Sequence, residues 1–340
     1  MKATIKDVAQ LSKVSATTVS LILNNKAIRT TEETRARVLK AAKQLGYEPN
    51  PIAVALITKK SHTVGLVIPN IGNFFFSDLS KLIERELDNH QYTLFFGNSM
   101  GTAEKALDYL KLFINKGVDG LIFVRSSSSS PGFEERFDEI VRSTSVPIVM
   151  VDRIVENELA SSVRTNHELG SYLATKHLLE LGHRRIGCIT GDATLGTVID
   201  RIQGHRRALA EFHVPFDPEL IVSGRFSIRT GKELTPKLLD KQVTAIFGFN
   251  DMIAVGAYQA CVSRGLRIPE DISIVGYDDI VLSEIPDRPL TTIHQPTELL
   301  AKESVELLLQ LMDAPNHHKK DIILQPRLVI RESTCPPRQP

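Results

Sequence analysis

The chain has 340 residues, 42% of them hydrophobic and 24% charged, with a formal net charge of +1 and three cysteines. That length favours two or three domains with large buried cores. No apolar run reaches the ~18–20 residues of a membrane helix, and Met1-Lys2-Ala3-Thr4-Ile5-Lys6 lacks an apolar signal core, so the expected location is the cytoplasm. The charge is unevenly placed. Residues 1–60 hold eleven Lys/Arg and four Asp/Glu, a balance of +7, and the remainder holds 30 basic and 36 acidic residues, a balance of −6. A basic head on a mildly acidic body implies a polyanion partner for the head alone. Cys188 and Cys261 sit in apolar runs far apart, which fits buried free thiols rather than a disulfide or metal site.

In chain order, Thr4-Ile5-Lys6-Asp7 reads as a helix start, with Asp7 answering the Thr4 cap. Ile5, Val8, Ala9 and Leu11 follow at helical spacing, and Ser12-Lys13-Val14 ends the helix. Ser15 caps a second helix from Ala16 to about Asn24. Thr30 and Glu33 suit a capping box for a third, with Val38, Ala41, Ala42 and Leu45 as its apolar stripe and Gly46 as its C-cap. Two helices across a tight turn, braced by a third, make a helix-turn-helix, although a generic three-helix bundle is open on these residues alone. The second helix would meet base edges by its N-terminal end, with Ala16, Thr17, Ser20 and Leu21 as its exposed positions. Asn50 and Pro51 then suit the cap and first turn of a two-turn helix through Leu56. Such a helix is too short to hold alone, since isolated helices need roughly 12–15 residues. A plain linker is the other reading of 50–60.

From Thr63 the pattern alternates apolar strands with helices. Strands are expected at 64–69, 93–96, 120–124, 147–151, 186–190, 245–248 and 272–276. Helices are expected between them, at 75–90, 103–116, 133–142, from about 167, and at 198–212, 230–239 and 253–265. Near-continuous apolar strands separated by helices imply parallel sheets covered on both faces, and two such series imply two lobes with a cleft. Ligands of open α/β sheets sit at the carboxyl ends of strands. That rule selects Asn70, Arg125, Asp152, Asn250, Asp251 and Asp278.

Thr4-Ile5-Lys6-Asp7-Val8-Ala9, Val14-Ser15-Ala16-Thr17-Thr18-Val19-Ser20 and Leu45-Gly46-Tyr47-Glu48-Pro49-Asn50 resemble the LacI/GalR family of bacterial transcription regulators, and the likeness runs on through Ala53 and Leu56. The resemblance implies an α plus α/β chain. A helix-turn-helix head (1–48) and a hinge helix and linker (49–61) precede a two-lobed, periplasmic-binding-protein-like α/β core (62–335). The N-lobe would span about 62–161 and 293–320, and the C-lobe about 162–291 and 321–333. It implies DNA contacts from Thr4, Lys6, Ser15, Ala16, Thr17, Thr18, Ser20, Leu21, Asn24, Ala53 and Leu56, the last as a minor-groove wedge. Many relatives carry polar residues where Leu21 stands and Arg where Val54 stands, which shifts base discrimination toward Thr17 and the hinge.

For the core, the resemblance implies an effector held by Phe74, Phe75, Asp152, Arg201, Asn250 and Asp278. Carboxylates, an amide and a forked guanidinium satisfy sugar hydroxyls while an aromatic face covers the ring. Arg125 and Arg153 at strand ends add positive charge that suits a phosphorylated or otherwise anionic sugar. On the residues alone, Asp278 also suits a cap, Arg201 a surface ion pair and the phenylalanines ordinary core. The expected function is a ligand-gated repressor, a homodimer on a pseudo-palindromic double-stranded operator, with a carbohydrate effector and no cofactor, metal or membrane partner. A solute-binding transport protein, an enzyme, or a regulator answering to a protein coeffector are the competing classes. No Gly-rich nucleotide loop, metal-ligand spacing or nucleophile elbow supports an enzyme.

Overall fold

Caps and apolar spacing make three helices between Ile5 and Leu45 in the computed structural model, which describes residues 3–23, 27–48, 60–126, 131–155, 159–314 and 318–338. The chain divides into two units, Met1–Ser61 and His62–Pro340. Asn24, Ala53 and Leu56, with the expected hinge helix, lie outside the described residues.

The first unit contains α1 (Ile5–Ser12), α2 (Ala16–Leu23) and α3 (Glu32–Leu45). Thr4 donates to the Asp7 carboxylate from both its backbone N–H and its hydroxyl, each at 2.8 Å, which fixes the start of α1. Lys13, in the left-handed region at φ 55°, ends it. Ser15 Oγ accepts the Thr18 N–H at 3.1 Å and caps α2. The cap of α3 is Thr31, not the expected Thr30: its hydroxyl accepts the Thr34 N–H at 3.2 Å. Starting one residue later still leaves Glu32 and Glu33 in the positive first turn. Val8, Ala9, Val19, Ile22, Val38 and Ala41 close the small core. Each fully buried aliphatic there contributes roughly 1.5–3 kcal/mol. Arg37 Nε donates to the Ser12 carbonyl at 2.8 Å and ties α3 to the end of α1.

The second unit holds two parallel sheets. The first comprises β1 (Thr63–Ile68), β2 (Thr93–Asn98), β3 (Gly120–Phe123), β4 (Ile148–Val151), β5 (Ser161–Thr165) and β11 (Asp321–Leu324). Their order is β11-β5-β4-β3-β1-β2. The period-2 rule divides β1 between its faces. Leu66 and Ile68 pack under α4 (Phe74–Asn89) and α11 (Thr297–Asp313), while Val67 packs under α5 (Ala103–Lys116) and α6 (Phe133–Ser143).

The second sheet runs β7-β6-β8-β9, from β6 (Ile186–Thr190), β7 (Ile221–Ser223), β8 (Ala245–Gly248) and β9 (Ser273–Val275). On one face lie α7 (His167–Glu180) and α8 (Gly196–Glu211), and on the other α9 (Ile228–Leu239) and α10 (Asp251–Val262). Several helices start earlier than their apolar stripes suggest, because caps set the boundary. Ser227 accepts from Thr230 N–H at 3.2 Å, and Asn250 from Ile253 N–H at 2.9 Å.

The lobe boundaries differ from the expectation. Residues 161–165 and 321–324 both belong to the N-lobe sheet, where β5 lies between β4 and β11 in parallel register. The polar Ser-Ser start of β5 hides a strand whose hydroxyls are satisfied across the ladder. Ser162 Oγ donates to Asp321 Oδ1 at 2.7 Å, and Ser161 Oγ accepts from Lys320 N–H at 3.1 Å. Only β12 (Arg327–Val329) returns to pair antiparallel with β10 (Thr292–His294). The chain therefore passes between lobes at Asn166, at 295–296 and at 325–326. Among the described residues, no helix is long and apolar enough to cross a membrane.

Candidate functional site

The head presents a polar edge. Thr4, Lys6, Ser15 and Thr17 are exposed. Thr18 is half-buried, and its hydroxyl is engaged by Ser15 at 2.9 Å, so both residues serve the cap. Ser20 and Leu21 are half-buried. Ala16 was expected on the exposed face. It is half-buried instead, because it packs against the three-helix core. Thr17 is thus the described residue of α2 with an exposed polar side chain near the helix start.

The cleft is built from strand ends. Asp152 follows β4, and Asp278 follows β9. Both are non-glycine residues in the left-handed region, at φ 60° and 110°. Such conformations are uncommon and concentrate at functional sites. Gly276 permits the second of these bends. A Cβ there would collide with the Asp251 carboxylate, which instead receives Thr292 Oγ1 at 2.5 Å and the Ile280 N–H at 2.8 Å. Asp251 is thereby a brace for the loop that carries Asp278.

Arg201 reaches the same place from α8. One of its guanidinium nitrogens donates to the Phe249 carbonyl. Its central carbon lies 3.6 Å from the centre of the Tyr277 ring, and Nη2 lies 3.7 Å from Asp278 Oδ1. Gln295 donates to Asp278 Oδ1 at 2.8 Å. Asn250 uses its oxygen to cap α10 and turns its amide nitrogen inward. Asp152, Arg201, Asn250, Asp278 and Gln295 are all 6% exposed or less.

Five of the polar atoms lining this cleft have no hydrogen-bond partner among the described residues: Asp152 Oδ1, Thr197 Oγ1, Arg201 Nε, Asn250 Nδ2 and Gln295 Oε1. An unsatisfied buried polar group costs about 1–3 kcal/mol. Their concentration at one point of an otherwise well-paired core marks a place made for a polar ligand. The set mixes acceptors, donors and a hydroxyl.

Charge is tuned here as well. Burial pushes the Asp278 carboxyl up to about 7, against the pull of Arg201. Burial also opposes the Asp152 carboxylate, but His167 and the charges of Arg153 and Arg201 prevail and hold it below the usual range. Burial lowers Arg153 to about 10. The Arg153 guanidinium lies between two rings, 4.9 Å from the centre of Phe76 in the N-lobe and 5.0 Å from that of Phe226 in the C-lobe. Together with Phe76 and Phe226 it lines both an inner chamber with about 10 Å³ of free space and an outer one of 830 Å³. The inner space fits one water and no sugar in this geometry.

Asp152, Arg201, Asn250, Asp278 and Phe75 thus come together as expected from the sequence. Phe74 does not join them. It is 42% exposed and lines an outer pocket with Asp279 and Val281. Arg125 is also apart: its guanidinium pairs with Glu134 of α6 at 2.7 Å and borders a neighbouring 130 Å³ chamber. Five lining residues escaped the sequence reading: Asn73, Phe76, Thr197, Phe226 and Gln295. A helical-spacing argument could have found Thr197, which lies four residues before Arg201 on the same helix face. Nothing local marks Phe226 or Gln295.

Comparison with known proteins fits this geometry. Residues 4–50 match the model for bacterial regulatory proteins of the lacI family, and residues 175–334 match the periplasmic binding protein-like domain. The chain is 38% identical over 335 residues to the HTH-type transcriptional repressor PurR of Aliivibrio fischeri (strain MJ11), covering 97% of this chain and 98% of that protein. The solved structure of the lac repressor dimer bound to operator and the anti-inducer ONPF superposes with a TM-score of 0.87 at 28% identity, covering 98% of this chain and 100% of that one. A transcriptional regulator CelR–cellobiose complex superposes with a TM-score of 0.73 at 28% identity, covering 97% and 99%.

Proposed function

The chain belongs to the LacI family of bacterial regulatory proteins, and from that membership we propose a repressor that binds a pseudo-palindromic operator as a homodimer and changes its grip when a sugar or sugar phosphate occupies the cleft. The observation that carries the effector half is the convergence of unpaired buried atoms on one cleft. A polyol supplies hydroxyls that both donate and accept, so it can satisfy Asp152, Thr197, Arg201, Asn250 and Gln295 together. The Phe75, Phe76 and Phe226 rings suit the apolar face of such a ring. The cellobiose complex of a structural relative points the same way.

The DNA half rests on α2. Its N-terminus carries the exposed Thr17, and Lys6 and Thr4 flank it for phosphate contact. Leu21 offers no hydrogen bond, so it can only meet a thymine methyl or exclude other bases. For Ala53 and Leu56 the reading stays at a minor-groove role, and Leu56→Ala with unaltered operator affinity removes Leu56 from the interface.

A metabolite screen by thermal shift, followed by operator titration with fluorescence anisotropy, tests the whole reading. A sugar that raises Tm and shifts operator affinity supports it, and a sugar-insensitive chain that still binds operator rejects the effector half. Calorimetry with a sugar and its phosphate ester then separates the two ligand classes. Equal affinities reject a phosphate subsite near Arg153.

A further inference from the structure

Neither the strand-end rule nor the family likeness singles out His167, yet it stands where the chain first passes between lobes. It opens α7 directly after the Asn166 cap and is 1% exposed. Its Nδ1 lies 3.2 Å from Arg201 Nη2 and 3.2 Å from the Tyr277 hydroxyl. Its Nε2 lies 3.4 Å from Asp152 Oδ1. At the second passage, Gln295 holds Asp278 at 2.8 Å, and Asp278 in turn lies 3.7 Å from Arg201. The side chains of Asp152, His167, Arg201, Asp278 and Gln295 therefore form a polar chain from one lobe crossing to the other, through the cleft.

Donor chemistry places the proton on the ring. A guanidinium only donates, so the Nδ1 that Arg201 meets must present its lone pair. In a neutral imidazole the proton then resides on Nε2, which faces Asp152 Oδ1. The 3.4 Å separation is long for a hydrogen bond and leaves mainly an electrostatic contact, one that helps to hold the Asp152 carboxyl below its usual range. The groups facing the ring are Asp152 at the end of β4, Arg201 and Asp200 of α8, and Tyr277 after β9. Burial, the largest influence, holds the ring's pKa below its ordinary 6.5, in keeping with a neutral imidazole.

A buried histidine is more often a satisfied core residue than a working part. This one differs, because its two ring nitrogens face two charged groups of the cleft, Arg201 and Asp152. We infer that His167 is a positioning residue of the effector site: a neutral, Nε2-protonated ring at the lobe crossing that sets Arg201 with one nitrogen and Asp152 with the other. The inference rests on the reading of Asp152 and Arg201 as effector groups.

Long-range proton–nitrogen NMR of the full chain, labelled with ¹⁵N-histidine and free of effector and DNA, tests it. His167→Gln identifies the signal by deleting it. Tyr277→Phe identifies it by shifting it, should the first variant fail to fold. The expected result is a bare Nδ1 and a protonated Nε2, with the ring titrating below its ordinary 6.5. Arg201→Met should move the Nδ1 signal, since a donor is lost. A proton on Nδ1, a charged ring at neutral pH, or an Nδ1 signal that Arg201→Met leaves in place would overturn the assignment. No sugar enters this measurement. Failure here leaves the effector reading standing, and a chain insensitive to sugars leaves the tautomer result intact.

Discussion

The head and the cleft use polar residues in opposite ways. In the head, Thr4, Ser15 and Thr31 are exposed, and each is engaged by a group three residues away. They shape helices whose outer face is left to solvent or DNA. In the cleft, the polar groups are buried, come from sequence positions up to 143 residues apart (Asp152 to Gln295), and five of their atoms have no hydrogen-bond partner among the described residues. A local satisfied group stabilises a fold. A distant unsatisfied one destabilises it unless something else binds. On the proposed function, the contrast is that between a preformed reading surface and a site completed by its ligand.

The largest test of this contrast is Arg201→Met. Removing one member of a buried charged cluster costs about 3–5 kcal/mol, and it leaves Asp278 without its cation. Denaturant midpoints should fall accordingly and any sugar response should vanish, while operator binding by the surviving folded protein persists. Loss of a response without loss of stability would mean that Arg201 contributes nothing to the fold.

The second is pH. The Asp278 carboxyl is pushed up to about 7 in the fold, against an ordinary 3.8. The folded chain then keeps a proton that the unfolded chain releases between those values. The resulting stability is fully present below 3.8 and is lost as pH rises through about 7. Each unit of displacement corresponds to about 1.4 kcal/mol. Asp278→Asn should flatten the fall in denaturant midpoint between about pH 5 and about pH 8. Any fall that remains is assigned to Asp251, which burial also raises, while the buried His167, His177, His183 and His205, held below 6.5, act in the opposite sense. An unchanged slope would place the Asp278 carboxyl in its ordinary range.

Smaller effects belong to the head. Thr17→Ala and Leu21→Arg should each alter the preferred operator, with discrimination changing by about 1–3 kcal/mol per base pair touched. A selection in which Leu21→Arg retains the wild-type operator counts against the assignment of α2. Ser15→Ala should cost about 1 kcal/mol of head stability through the lost cap. Lys6→Ala should weaken binding on all sequences alike and reduce the salt dependence of affinity by about one unit of slope.

Local patterns foretold the head because its determinants are local: Thr4–Asp7, the Ser15 cap and the Gly46 stop all lie within one helical turn of what they govern. The same reasoning found Asp152, Asn250 and Asp278, since each follows a strand visible as an apolar run. It missed β5, whose Ser-Ser start reads as polar until β11 arrives beside it from 159 residues away. It missed Phe226 and Gln295 for the same reason: a loop and a lobe crossing acquire their neighbours only from the tertiary fold. Arg125 had the right position at a strand end, but its guanidinium pairs with Glu134 and lines the neighbouring chamber rather than the inner one.

The central claim is that the unpaired cleft groups and the DNA head communicate through a bound polyol. The most direct test measures operator affinity with and without a sugar found by thermal shift, and sugar affinity with and without operator. Coupling of about 1–3 kcal/mol predicts a change of roughly 5–150-fold, and the factor must be the same in both directions. A sugar that binds the cleft while operator affinity stays constant would contradict the account.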